Sequence, residues 1–153
     1  MALWSISVIS CANEKEIDIY FMRLSTLTKK LDTINLNITN AQTTRTKEGG
    51  AYRPRDAKNC KNGLCEIIYR PISEILKYEP SHPDAQKNGY VKYPAINVMQ
   101  EMQSLIKLQR AIEYLQDDPP VSKSFFYGPK IEHYLKKYPG LKGSYNFNEF
   151  LKE

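Results

Sequence analysis

Glycine is scarce, with 7 in 153 residues, which argues against a glycine-rich phosphate cradle; no segment reads as a P-loop or a dinucleotide fingerprint. Histidine is scarcer still, with His82 and His133 as the pair present. No nucleophile stands beside a base at a recognisable spacing, so these histidines and the scattered carboxylates give no catalytic centre. No cluster of metal-ligand type appears, and the expectation is no metal, no cofactor and no small-molecule substrate. No stretch approaches the roughly 18 apolar residues of a transmembrane helix. Tandem repeats and low-complexity tracts are absent.

What is present is a modest hydrophobic fraction of 41% and a formal net charge of +5. The length suits one domain. The basic charge invites a nucleic-acid reading, but the cations do not cluster. Arg53, Arg55, Lys58 and Lys61, and later Lys136 and Lys137, are mixed with acids or aromatics. A solvated basic surface is the reading, with no nucleic-acid partner. Polyanions such as a cell-wall polymer or acidic lipid headgroups stay open.

The first informative segment runs from about Glu16 to Asn40. Ile17, Tyr20, Leu24, Leu27, Leu31, Ile34 and Ile38 recur at alternating gaps of three and four. That is the seam of a helix packing along another helix. Residues 43–50 read as a loop. Two strand-like runs follow, about Tyr52 to Cys60 and Leu64 to Tyr69, joined through Asn62-Gly63. This dipeptide favours a two-residue type I′ hairpin turn. Such a turn places Cys60 opposite Cys65 in a non-hydrogen-bonded pair, close enough for a disulfide; two reduced thiols in a surface turn are the alternative. Pro71, Pro80, Pro83 and Pro94 keep the next stretch out of long helices.

Helix resumes near Ala95. Val98, Met102, Leu105, Ile112 and Leu115 form a second seam, with Met99 and Ile106 widening the apolar face. Asp117-Asp118-Pro119-Pro120 ends it sharply. The remainder is aromatic and basic, including Phe125, Phe126, Tyr134, Tyr138, Tyr145, Phe147 and Phe150, with a short helix expected near Pro129 to Tyr138. It is expected to cover apolar surface left by the helix that stops early, or to dock on a partner.

Several blocks resemble a known family. Leu31-Asp32-Thr33-Ile34, Asn37-Ile38-Thr39-Asn40-Ala41, Thr43-Thr44-Arg45-Thr46 and Glu48-Gly49-Gly50-Ala51-Tyr52-Arg53 are similar to the signature of flagellar basal-body rod proteins, most of all the proximal-rod type. A second set lies in the same order: Tyr78-Glu79-Pro80, His82-Pro83-Asp84-Ala85, Asn88-Gly89-Tyr90-Val91, Tyr93-Pro94, Asn97-Val98, Glu101-Met102 and Arg110-Ala111. The resemblance implies an α+β fold, in which antiparallel N- and C-terminal helices pair as a coiled coil around a small insert containing a β-hairpin. A short C-terminal extension follows. It implies a structural subunit of the proximal rod that packs on other rod proteins and on itself and transmits torque, with no reaction to catalyse.

Two departures stand out. Ile19-Tyr20-Phe21-Met22-Arg23-Leu24 occupy positions where the family carries small residues, which is expected to overpack a helix contact. The second helix also stops where the family's continues.

At the amino terminus, Val8-Ile9-Ser10-Cys11 has the shape of a lipoprotein cleavage site, making Cys11 a lipidation candidate and a membrane anchor, though the preceding stretch lacks a positive n-region. Export through the flagellar channel without a cleaved signal is the alternative. Both routes end outside the cytoplasm, and the expected location is the periplasmic basal body. The expected division is 1–15 as an export or lipoprotein-like segment, 16–118 as the rod-like domain and 119–153 as the extension. A lipid-anchored periplasmic adaptor docking at the basal body is the alternative role.

Overall fold

The computed structural model describes residues 14–71, 74–117, 119–120 and 130–142. Cys11, Phe125, Phe126, Tyr145, Phe147 and Phe150 lie outside the described residues, as does the lipoprotein-like segment.

Helix α1 spans Glu14–Thr39. Two hairpins follow: β1 (Arg55–Lys61) with β2 (Leu64–Tyr69), and β3 (Glu74–Tyr78) with β4 (Tyr90–Pro94). Helix α2 covers Val98–Asp117, α3 covers Lys130–Lys137, and a 3₁₀ turn at Pro139–Lys142 follows. The chain is therefore α+β, with two separate antiparallel two-stranded sheets. The second sheet was not foreseen. Its strands sit in the proline-rich stretch, but Pro71 and Pro80 flank β3 and Pro94 closes β4, where a missing N–H costs no internal ladder bond.

Helices α1 and α2 run antiparallel. Residues 22–27 share a cleft with 111–115, and 30–34 share another with 100–108. Ile17, Tyr20, Leu24 and Leu31 are buried, and Leu27 packs half-buried against the same core. Ile34 and Ile38 are half-buried near the end of the helix. On α2, Ile112 is fully buried, and Leu105, Leu108 and Leu115 pack against it. Val98 is half-buried at the first turn, which Asn97 caps by accepting the Gln100 N–H at 3.1 Å. Met102 corrects the expected seam: it is 47% exposed, on the side of α2 away from α1, and Glu101 takes the buried position beside it.

The aromatic start of α1 does not overpack. Phe21 is fully buried and stacks on Tyr134 of α3, with ring centroids 4.7 Å apart. Ile131, Tyr138 and Leu141 complete this corner, and Leu135 packs half-buried against it. Large side chains on α1 are thus matched by apolar side chains delivered from beyond Pro120. Burying a Phe-sized side chain stabilises by about 1.5–3 kcal/mol. The exposed pair of Lys137 Nζ with Asp18, at 2.7 Å, contributes little beside it.

Ser25 is where three segments meet. Its hydroxyl donates to the Gly63 carbonyl at the tip of the first hairpin, at 2.8 Å and fully buried. On Gly63 a Cβ would lie 2.6 Å from the Tyr138 ring and 3.2 Å from the Met22 Cα. On Gly140 a Cβ would lie 2.7 Å from the Ser25 carbonyl oxygen. Both glycines let a backbone lie directly against α1.

A second junction lies just over three turns further along α1. Asn37 is fully buried, although asparagine near a helix end reads as a residue leaving the helix. Its amide donates to the Arg55 carbonyl at 2.8 Å, and its Oδ1 accepts from the Arg55 N–H at 3.0 Å and the Tyr52 hydroxyl at 3.1 Å. The side chain fastens the start of β1 to the helix as a neighbouring strand would.

Two outcomes follow. Gly140→Ala should lower stability by ~1–3 kcal/mol, because a backbone oxygen cannot swing aside. An unchanged thermal midpoint would contradict the close approach. Asn37→Ala should cost about 2–4 kcal/mol in denaturant unfolding, since both backbone groups of Arg55 lose their partner; a loss below 1 kcal/mol, roughly the value of one exposed bond, would contradict the anchor.

Candidate functional site

The residues that make the sequence distinctive act as fasteners between segments. Asp84 is held from two sides: the Thr44 hydroxyl donates to its Oδ2 at 2.7 Å and Arg45 Nε pairs with its Oδ1 at 2.6 Å. The loop after α1 and the turn between β3 and β4, forty residues apart, are thereby joined. His82 belongs to this turn: its Nδ1 accepts the Asp84 N–H at 3.0 Å. The Tyr93 hydroxyl donates to Glu79 at 2.7 Å, tying β4 to the turn end of β3, and this bond raises the tyrosine pKa above its ordinary value. His133 is exposed on α3, its ring edge-on to Tyr134.

Arg70 fastens the first hairpin to α2. Its guanidinium binds Asp56 Oδ1 at 2.9 Å and Glu101 Oε1 at 2.6 Å. Burial opposes the charge on Asp56, but the hydrogen bonds and charge of Arg70, with help from Lys58, outweigh it and hold the carboxyl below its ordinary value. Burial likewise opposes the charge on Arg70, and the two carboxylates overcome it. The same arginine explains why α2 can bury Glu101 where an apolar residue was expected. Burial alone pushes the Tyr20 hydroxyl to about 12, so that phenol stays neutral within the core.

The Asn62-Gly63 turn has both residues at positive φ, 50° and 76°, as a type I′ turn requires. Cys60 and Cys65 are disulfide-bonded with Cα atoms 4.0 Å apart. Between Lys58 and Lys61 the register slips by one residue at Asn59, which has a φ of 49° and donates to Glu66 at 2.7 Å. This bulge carried no legible signal in the sequence.

Once these contacts are made, apolar surface remains outside. On α2, Met99, Met102 and Ile106 are spaced by three and four and are 67%, 47% and 47% exposed, while the exposed Tyr114 borders the cleft shared with α1. The helix is apolar on two opposite sides, and one of them faces α1. On the second hairpin Ile75, Leu76, Tyr78 and Tyr90 are exposed, and on the first, Leu64, Ile68 and Tyr69. Among the described residues there is no group of three or more His, Cys, Asp or Glu placed to hold a metal, and no helix long and apolar enough to cross a membrane.

No family model matches the chain. Its similarity to curated proteins is specific, however. The flagellar basal-body rod protein FlgC of Borreliella burgdorferi is 32% identical over 124 aligned residues, which span 63% of this chain and 82% of that protein. The FlgC of Salmonella typhimurium is 29% identical over 106 residues, spanning 63% of this chain and 79% of the relative. With that identity and coverage, the chain belongs to the flagellar basal-body rod protein FlgC family as a divergent member.

Proposed function

We propose that the chain is a structural subunit of the flagellar basal-body proximal rod, assembling with other rod proteins and with copies of itself by helix packing and transmitting torque across the periplasm. Its relatives are named as basal-body rod proteins. The observation that carries the reading in this chain is the outward face of α2, where Met99, Met102 and Ile106 stay exposed on a helix whose other side is packed against α1. In this reading α1 and α2 act as a coiled-coil pair inside the subunit, and the outward stripe of α2 forms the seam between subunits. The role requires stiffness and complementary surfaces, with no reaction and no cofactor.

Stiffness has a physical source in the fold. Asn37, Arg70 and Ser25 each fasten an insert segment to a helix through short hydrogen bonds or ion pairs, and Asp84 ties the second hairpin's turn to the loop after α1. A torque applied to the outer surface would pass through these contacts into the helix pair. Cys60–Cys65 would be oxidised outside the cytoplasm, where disulfides persist. Its closed loop is short, so its main effect would be to fix the hairpin tip that docks on Ser25.

The reading is tested by mass spectrometry of purified basal bodies against a detergent-extracted envelope fraction. The chain should be in the basal bodies; recovery from the detergent extract alone would favour a lipid-anchored protein and contradict it. Replacing Met102 and Ile106 together by Asp should leave thermal stability within about 0.5 kcal/mol, as exposed positions allow, while removing the chain from basal bodies. Retention at the wild-type level would contradict the seam. Alkylation without reductant should leave Cys60 and Cys65 unlabelled in protein taken from the periplasm, and full labelling of both would contradict the bridge.

A further inference from the structure

A cleft of about 580 Å³ lies between the second half of α1, the start of β1 and the first half of α2. Its charge is unbalanced. Asp56 and Glu101 line it, but both are spent on Arg70, with Lys58 also 3.4 Å from Asp56. Lys30 from α1, Arg55 from β1 and Lys107 from α2 converge on the same cleft with no ion pair among the described residues. Three elements thus bring three uncompensated cations to one concavity.

Arg55 supplies an independent sign. Its Nε is buried without a hydrogen-bond partner among the described residues. Its guanidinium lies 5.1 Å over the Tyr69 ring and 5.7 Å from the Tyr52 centroid, so the aromatic rings hold it but satisfy none of its donors. A buried donor left unpaired is costly and calls for an explanation. A small swing toward the cleft would present the Nε–Nη edge to a carboxylate in the two-bond geometry that guanidinium favours.

We propose that this cleft binds the carboxylates of an acidic segment from a protein partner. The proposal rests on the reading of the chain as an assembling subunit and names the chemistry of one contact. The walls favour a peptide over other anions. Ile34 and Leu108 give the cleft apolar ground between the cations, suited to the methylenes of glutamate side chains. A flat lipid surface does not reach into a concavity, and a nucleic-acid backbone needs a continuous basic stripe rather than three points around a pocket.

The test is a titration of the full-length oxidised protein with a hexaglutamate peptide, followed through the Arg55 Nε–H resonance, with inorganic phosphate as the small-anion control. The expected result is a saturable shift with the peptide that weakens as salt rises. Combined Lys30→Gln and Lys107→Gln substitutions should weaken binding about tenfold, whereas Lys87→Gln, in the distant turn between β3 and β4, should not. Arg55→Gln, followed through the backbone amide resonances of the cleft instead, should also weaken it, and the Asn37 anchor survives that change because it uses only the Arg55 backbone. No saturable shift, equal affinity in the double variant, or equal binding of phosphate would overturn the proposal. Failure here leaves recovery in basal bodies untouched, and absence from basal bodies leaves this titration readable, so the two readings fail separately.

Discussion

The fold depends on one close approach. Two backbones, at Gly63 and at Gly140, lie against α1 at Ser25 with no room for a Cβ on either. A serine there is small enough to admit them and polar enough to satisfy the Gly63 carbonyl, which is buried and would otherwise lack a partner. Once the hairpin tip is seated, its glycine forms the floor on which Tyr138 rests. Tyr138 and Tyr134 then close over Phe21, and the far end of the chain becomes part of the same core as its first helix.

The remaining segments are attached by polar side chains whose partners lie far along the chain. Asn37 reaches β1, Arg70 reaches α2, and Thr44 with Arg45 reach the turn carrying Asp84. Each partner is satisfied by a hydrogen bond or ion pair at 2.6–3.1 Å. Such fasteners specify where a hairpin sits more sharply than apolar contact does, because a displaced hairpin would leave buried polar groups unpaired. This leaves apolar side chains free to populate the outer surface of α2 and both hairpins. The chain therefore keeps a fixed shape while presenting sticky faces, a combination suited to a subunit that assembles.

Local features of this arrangement were legible in the sequence. The alternating three- and four-residue gaps of α1 identified the helix and its core side, because one stripe there is clearly more apolar than the rest. Asn62-Gly63 identified its turn, because few dipeptides adopt two positive φ angles. Asp117 through Pro120 marked the end of α2. What periodicity could not decide was which side of α2 faces inward. Met102 and Ile106 are as apolar as Leu105 and Leu108, and the choice falls to Glu101, which can be buried only because Arg70 arrives from thirty-one residues earlier. The role of Asn37 was hidden for the same reason: local propensity places asparagine near a helix end, as here, but says nothing of the distant backbone it binds. The signature blocks were visible as a resemblance, yet nothing in one block reveals that Thr44 and Asp84 touch. The segment beyond Pro120 was expected to cover apolar surface left where α2 stops early, whereas its packing on Phe21 at the aromatic start of α1 emerged only from the folded chain.

The central claim is that a stiff helix pair, fastened to two hairpins, packs into a rod through the outer side of α2. Electron cryomicroscopy of basal bodies purified from the source cells tests it most directly. The account expects rod density that accommodates α1 and α2 as an antiparallel pair, with Met99, Met102 and Ile106 covered by a neighbouring subunit. Density for the chain with that side of α2 open to solvent would contradict it.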